Sequence, residues 1–281
     1  MENSKVMKLK NIVKFIFNPK QYIYNIARNI AHQKLINQGY IPIYEFNEND
    51  IFLVAFPKSG ITWLQNLIVG LLYGIDTQYL PDKLTQDIVP DIYEKSFYKR
   101  YGLFTIFKSH ELPKKEYKRV IYLVRDGRDA IVSYYHYNKN LGINVSLEEM
   151  VLKNKNVFPA PWWQHTQSWI NNSFASEIIY VRYEDLLKQP LVELKRICKF
   201  LNIERDNELI QRVIEGNTFE LMKKKAKLYN GIGLRDWQGE KGIKFFRKGK
   251  SKTYLEEMPK YLIDFFNQKA QKQLQYFGYE V

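Results

Sequence analysis

The chain alternates between short unbroken apolar runs and longer stretches in which apolar residues recur every third or fourth position. The longest run, IFLVAF at 51–56, reads as a buried strand, and Leu64, Leu67, Ile68, Leu71 and Leu72 follow it at helical spacing. LFTIF (103–107), VIYLV (120–124) and EIIYV (177–181) predict three further strands. Helices are predicted through 130–137, through 191–201 and again from about Pro259. Strands alternating with helices imply an α/β fold in three layers, with a central, mainly parallel sheet flanked by helices. No internal repeat or low-complexity linker interrupts the pattern, so 46–281 reads as a single domain behind a basic helical arm, 1–45.

Within that arm, residues 3–34 carry seven Lys or Arg and no Asp or Glu, with Ile12, Val13, Phe15, Ile16 and Phe17 among them. A basic amphipathic helix is expected, either packed with its charges solvated or docking weakly on an anionic membrane surface. A spanning helix needs about 20 apolar residues, far more than any run here. The N-terminus also lacks the apolar stretch and cleavage site of a secretory signal, so the expected location is cytoplasmic. With Cys198 as the only cysteine no intrachain disulfide can form. Its neighbours Ile197, Phe200 and Leu201 make it a small buried apolar residue.

Across 281 residues, 43 Lys and Arg face 30 Asp and Glu, a net charge of +13. That excess predicts an anionic partner, whether nucleic acid, membrane surface or phosphorylated small molecule. The 56–63 segment, Phe-Pro-Lys-Ser-Gly-Ile-Thr-Trp, narrows the choice. It follows the first strand and opens the first long helix, so Lys58, Ser59, Gly60 and Thr62 stand where free N–H groups and the helix dipole favour an anion. It is not a Walker A loop, because its lysine precedes the glycine. A tight strand-to-helix turn with no ligand has the same outline. The second segment, VIYLVRDGRDAIVSYYHYN (120–138), delivers Arg125 at a strand end and Ser133 on the next helix. A guanidinium fork and a hydroxyl suit a phosphate dianion; pairing of Arg125 with Asp126 or Asp129 is the alternative.

These strings resemble the sulfotransferases that use 3′-phosphoadenosine 5′-phosphosulfate (PAPS), particularly the cytosolic type, whose phosphosulfate loop reads Tyr-Pro-Lys-Ser-Gly-Thr-Thr-Trp. Here Phe56 and Ile61 replace the Tyr and the first Thr, so one hydroxyl is lost while the Ile61 N–H stays. The resemblance implies that Lys58, Ser59, Gly60, Ile61 and Thr62 hold the phosphosulfate and that Trp63 lies against the adenine. It likewise implies that Arg125, Ser133, Arg247, Lys248 and Gly249 bind the 3′-phosphate. Tyr183 and Phe219 fall where the family has aromatic adenine contacts, and Thr218 at a nearby hydroxyl position. Lys252, Thr253 and Tyr254 stand where the family continues with Gly-Asp-Trp.

Sulfuryl transfer to an alcohol, phenol or amine requires loss of the acceptor proton and neutralisation of the leaving phosphate. Of the histidines His32, His110, His136 and His165, His110 lies in Lys-Ser-His-Glu-Leu-Pro (108–113), resembling the family's Lys-Thr-His-Leu-Pro. The resemblance makes His110 the general base, with Lys58 and Lys108 stabilising charge in an in-line displacement that leaves adenosine 3′,5′-bisphosphate (PAP). No metal is expected, since the histidines are dispersed and no Cys-x-x-Cys or His-x-x-x-His occurs. A P-loop nucleotide kinase would need a Walker lysine and magnesium carboxylates, and a basic nucleic-acid-binding protein would show steeply salt-dependent binding to strands. Neither is the expected function, and no nucleic acid partner is expected. The acceptor is open among small molecules, lipids and glycans. The aromatic segments 158–163 and 134–135 line an apolar pocket or belong to the core, and the 223–227 run reads as a solvated basic face.

Overall fold

The computed structural model describes residues 19–228, 249 and 251–281. The apolar cluster at 12–17, Arg247 and Lys248 lie outside the described residues. The chain divides into two compact units, one of residues 1–45 with 97–100 and the other of 46–96 with 101–281.

In the first unit, helix α1 (Pro19–Asn37) precedes β1 (Ile41–Pro42), which pairs antiparallel with β3 (Phe97–Tyr98). The inward side of α1 sets His32 edge-on to Phe97 at 4.8 Å. Ile23, Ile26 and Ile30, spaced three and four apart on one face, are instead 59, 42 and 65% exposed.

The second unit is built on a parallel four-stranded sheet in the order β4 (Ile106–Ser109), β2 (Ile51–Ala55), β5 (Arg119–Val124), β6 (Glu177–Arg182). Both faces are covered, so these strands read as continuous apolar runs. One face is aliphatic: Ile51, Leu53, Ile121 and Leu123 pack with α2 (Ile61–Tyr73), α8 (Pro190–Leu201) and α9 (Asn207–Glu215). Cys198 lies buried in this layer. The other face is aromatic: Phe52 stacks on Tyr117 at 3.6 Å, and Tyr117 and Tyr122 meet Trp169 of α6 (Trp162–Asn171).

The remaining helices are α3 (Asp82–Ile88), α4 (Gly127–Asn140), α5 (Leu147–Lys153), α7 (Tyr183–Lys188), α10 (Phe219–Leu228), α11 (Tyr254–Glu257) and α12 (Lys260–Tyr276). Their ends follow local chemistry. Asp126 caps α4 through the Arg128 N–H, and Ser146 with Glu149 forms a capping box at α5.

One strand departs from the apolar pattern. β4 runs from Ile106 through Ser109 rather than from Leu103, which is 87% exposed. Its polar half stays buried because the Pro90–Ile92 segment continues the ladder beyond it: Lys108 N–H donates to Pro90 O (2.9 Å), and Ile92 N–H to Lys108 O (3.1 Å).

The chain leaves β2 toward β4 on one side, while β5 leads to β6 on the other. The carboxyl ends of β2 and β5 therefore flank a topological switch point, where open α/β sheets bind ligands.

Candidate active site at the carboxyl edge of the sheet

The turn after β2 is shaped by two residues with left-handed backbone, Lys58 (φ +67°) and Gly60 (φ +96°). A Cβ at Gly60 would fall 2.8 Å from the Tyr183 ring, so both the angle and the space require glycine. The turn hands over to α2, whose first N–H groups face the switch point. Ser59 is wholly buried, and its Oγ has no hydrogen-bond partner among the described residues. Such a hydroxyl is costly to leave unsatisfied and points to a ligand that satisfies it. Ile61 is also buried, on the aliphatic layer.

Three cations reach this turn. The Lys58 ammonium sits 4.2 Å above the centroid of Tyr137. Lys108, from β4, places Nζ 3.4 Å from Thr62 Oγ1 and 3.0 Å from Asp91 Oδ2. Arg125, just past β5, donates to the Lys58 carbonyl at 3.2 Å while its guanidinium lies over the Tyr183 ring at 4.7 Å. Tyr183 in turn meets Trp63 edge-on at 5.7 Å, and Trp63 Nε1 donates to Asn217 O at 2.8 Å. Residues distant in sequence thus form one aromatic wall beside one cluster of positive charge.

The late glycine packs against a further aromatic ring. Gly249 has φ +63°, and a Cβ there would fall 2.4 Å from the Phe219 ring. The following residues, where the family pattern is lost, dock on Asp129 of α4: its buried carboxylate accepts from Lys252 N–H (2.7 Å), Thr253 Oγ1 (2.9 Å) and Tyr254 N–H (2.9 Å). Arg128, by contrast, turns away to Asp126 and to the Glu280 carbonyl. Ser133 lies half-buried further along α4. Thr218 is exposed and accepts from Leu221 N–H at 3.4 Å in the first turn of α10.

His110 follows β4 at the same edge. Its Nδ1 is 2.7 Å from Ala55 O, and its ring stacks on Tyr93 with centroids 6.3 Å apart. Burial and the Lys108 and Lys58 ammonium groups hold its pKa down at about 4, against the opposing pull of Asp91 and the Ala55 carbonyl. The imidazole is therefore neutral at pH 7 and able to accept a proton. Behind it, His165 is fully buried; its Nε2 contacts His110 O at 3.1 Å and its Nδ1 the Tyr122 hydroxyl at 2.9 Å. His32 and His136 lie elsewhere, the latter 2.5 Å from Glu257.

Several residues escaped the sequence reading. Asp91 and Tyr93 carry no local signature, being brought to Lys108 and His110 by the extra ladder beside β4. Lys225 is a correction: the solvated basic face expected for its run holds for Lys223 and Lys224, but Lys225 is buried, with Nζ 2.6 Å from Asn66 Oδ1. Of the aromatic segments, Phe158 is exposed and meets Tyr93 at 5.6 Å, whereas Trp162 is core. Among the described residues no group of three or more His, Cys, Asp or Glu is placed to hold a metal ion, and no helix is long and apolar enough to cross a membrane.

The profile of the sulfotransferase domain matches residues 48–278. The chain is 30% identical over 209 residues to mouse (Mus musculus) sulfotransferase 1B1, covering 67% of this chain and 70% of that one. It is 26% identical over 263 residues to the amine sulfotransferase of Oryctolagus cuniculus, covering 86% and 84%, and 25% identical over 240 residues to the flavonol 3-sulfotransferase of Flaveria bidentis, covering 74% and 76%. Its fold is similar to that of mouse sulfotransferase SULT7A1 complexed with PAP, with a TM-score of 0.60, 19% identity and coverage of 84% and 91%. A glycine-dependent strand-to-helix turn, converging cations and a neutral histidine at one sheet edge agree with these matches, and the chain belongs to the family of PAPS-dependent sulfotransferases.

Proposed function

We propose that this protein transfers the sulfuryl group of PAPS to a hydroxyl or amine of a small-molecule acceptor, with His110 as general base. The observation that carries this reading is the meeting of Lys58, Lys108 and Thr62 with a neutral imidazole at the ends of two neighbouring strands.

The residues present fit the donor. The 58–62 turn offers N–H groups, the Ser59 hydroxyl and the Lys58 ammonium to the phosphosulfate, and Lys108 from β4 adds a second ammonium. Arg125 offers a rigid fork to the 3′-phosphate, with Ser133, Gly249 and, outside the described residues, Arg247 and Lys248 completing that end by family resemblance. Tyr183, Trp63 and Phe219 supply aromatic surface for adenine, with Thr218 at its rim.

His110 donates Nδ1–H to Ala55 O, which leaves the Nε2 lone pair for the acceptor proton. As that proton moves to Nε2, the acceptor atom bonds to sulfur and the bond from sulfur to the bridging phosphate oxygen breaks. Lys58 and Lys108 neutralise the charge gathering on that oxygen. The reaction asks nothing of a metal that these cations do not supply.

Tyr93 and Phe158 form an apolar wall beside His110, which supports an acceptor with an apolar or aromatic body. The amine and the flavonol in the relatives' names belong to the same range of small nucleophiles. Incubating the protein with sulfur-labelled PAPS and a panel of phenols, sterols, amines, lipid alcohols and glycans tests the reading. Transfer to at least one member, lost in His110→Gln, is expected; no transfer to any member counts against it.

The arm carries a second role in this reading. The outward ridge of Ile23, Ile26 and Ile30, flanked by Lys20, Arg28 and Lys34 with no acidic residue in α1, supports docking of 1–45 on an anionic lipid surface while 46–281 carries the chemistry.

A further inference from the structure

Lys108 does not approach the phosphate turn alone. Its Nζ is held 3.0 Å from Asp91 Oδ2, and both side chains are almost wholly buried. Asp91 is itself fixed on three sides. Its N–H donates to Gln86 Oε1 at 3.1 Å, its Oδ1 accepts from Tyr93 N–H at 2.9 Å, and the ladder between Pro90–Ile92 and Lys108 locks its backbone. Burial raises its pKa, but Lys108, His110 and the Tyr93 N–H outweigh that, and Asp91 is ionised.

A buried, ionised carboxylate two hydrogen bonds from a site for a highly anionic nucleotide is electrostatically adverse to binding. It weakens ground-state attraction between Lys108 and the donor. An interaction withheld from the ground state and released as charge builds on the leaving oxygen accelerates the chemical step.

We propose that Asp91 is a positioning residue for sulfuryl transfer: it holds the Lys108 ammonium against Thr62, keeps it from closing onto the resting nucleotide, and reserves it for the charge that develops during transfer. The inference rests on the functional reading above. Around His110 the charged and titratable groups are Lys108 and Asp91 beside it, Lys58 from the turn after β2, Tyr93 on its ring, Glu111 next to it, and neutral His165 behind. Asp91 is the carboxylate that opposes the two lysines there, so its loss also makes His110 a weaker base.

The signature is a split that structural damage does not produce, namely tighter product binding with slower turnover. PAP affinity, measured by calorimetry on the full chain, is expected to increase at least threefold in Asp91→Asn. The same change in a Lys108→Met background is expected to leave the affinity unaltered, since Asp91 acts through Lys108. Turnover with PAPS and an accepted phenol is expected to fall at least tenfold in Asp91→Asn, and its acidic limb to move to lower pH. PAP affinity in Asp91→Asn that is unchanged or weaker, or that shifts equally in both backgrounds, overturns the proposal. Failure of the unaltered protein to bind PAP overturns the functional reading itself, and the binding cycle needs no knowledge of the acceptor.

Discussion

Nδ1 of His110 lies 2.7 Å from the carbonyl oxygen of Ala55, the last residue of β2. A carbonyl only accepts, so Nδ1 carries the hydrogen and Nε2 the lone pair. The strand that launches the 56–63 turn thereby also sets the tautomer of His110.

Replacing His110 with Gln keeps a donor to Ala55 but removes the imidazole proposed as the base. Turnover should fall by about 10²- to 10⁴-fold, with PAP affinity within a few-fold of the unaltered protein. Activity should rise with pH through about 4, where His110 loses its proton, and stay level into the neutral range. An acidic limb near the ordinary histidine value of about 6.5, measured under kcat/KM conditions, would contradict the geometry.

His165 gives a stability prediction. Burial drives its pKa down to about 3, and that of His110 falls to about 4. Unfolded, both titrate near 6.5, so below that pH the unfolded chain binds more protons than the folded one. Their contribution is complete above about 6.5 and is lost as pH falls through the folded values. Denaturant melts from pH 7 to pH 4 should show a shallower decline in His165→Gln than in the unaltered protein, relative to each protein's own value at pH 7.

Ser59 separates ligand binding from folding. Because its buried Oγ has no partner among the described residues, Ser59→Ala removes an unsatisfied group and should leave the melting temperature of the free protein unchanged or higher. The same change should weaken PAPS binding about tenfold, the effect of one charge-assisted hydrogen bond. A protein destabilised without ligand and unchanged in affinity would show that the hydroxyl serves the fold.

The residues at 56–63 that suit an anion are legible because they stand together in one short string between a strand and a helix. Strand and helix order were legible because both faces of the sheet are covered and the apolar runs are unbroken. β4 was misplaced by three residues at its start because its buried half, Lys108 and Ser109, is polar and satisfied by partners far along the chain. Lys225 looked like part of a solvated run, since burial of one lysine in four depends on Asn66, a turn into a different helix. Asp91 was invisible for the same reason: an ion pair across two segments leaves no local period. The outward isoleucines of α1 are absent from the sequence reading of the arm, because the side a helix leaves exposed is set by what packs against it.

The ridge on α1 predicts lipid-dependent flotation. The full chain should float with vesicles rich in phosphatidylserine and remain behind with phosphatidylcholine alone. Ile26→Asp with Ile30→Asp should abolish flotation without changing PAP affinity. Concentration-dependent self-association that the same pair of changes abolishes, without any flotation, would assign the ridge to a second copy of the chain instead.

The cations at the carboxyl edge of the sheet are expected to form a site for a 3′-phosphorylated adenosine nucleotide. Calorimetric titration with PAP and with adenosine 5′-phosphate, which lacks the 3′-phosphate, tests it most directly. Saturable binding of PAP at least about a hundredfold tighter than adenosine 5′-phosphate, from the charge-assisted fork of Arg125, and cut by at least tenfold in Arg125→Lys, is the expected result. Absence of PAP binding, or equal affinity for the two nucleotides, would contradict the account.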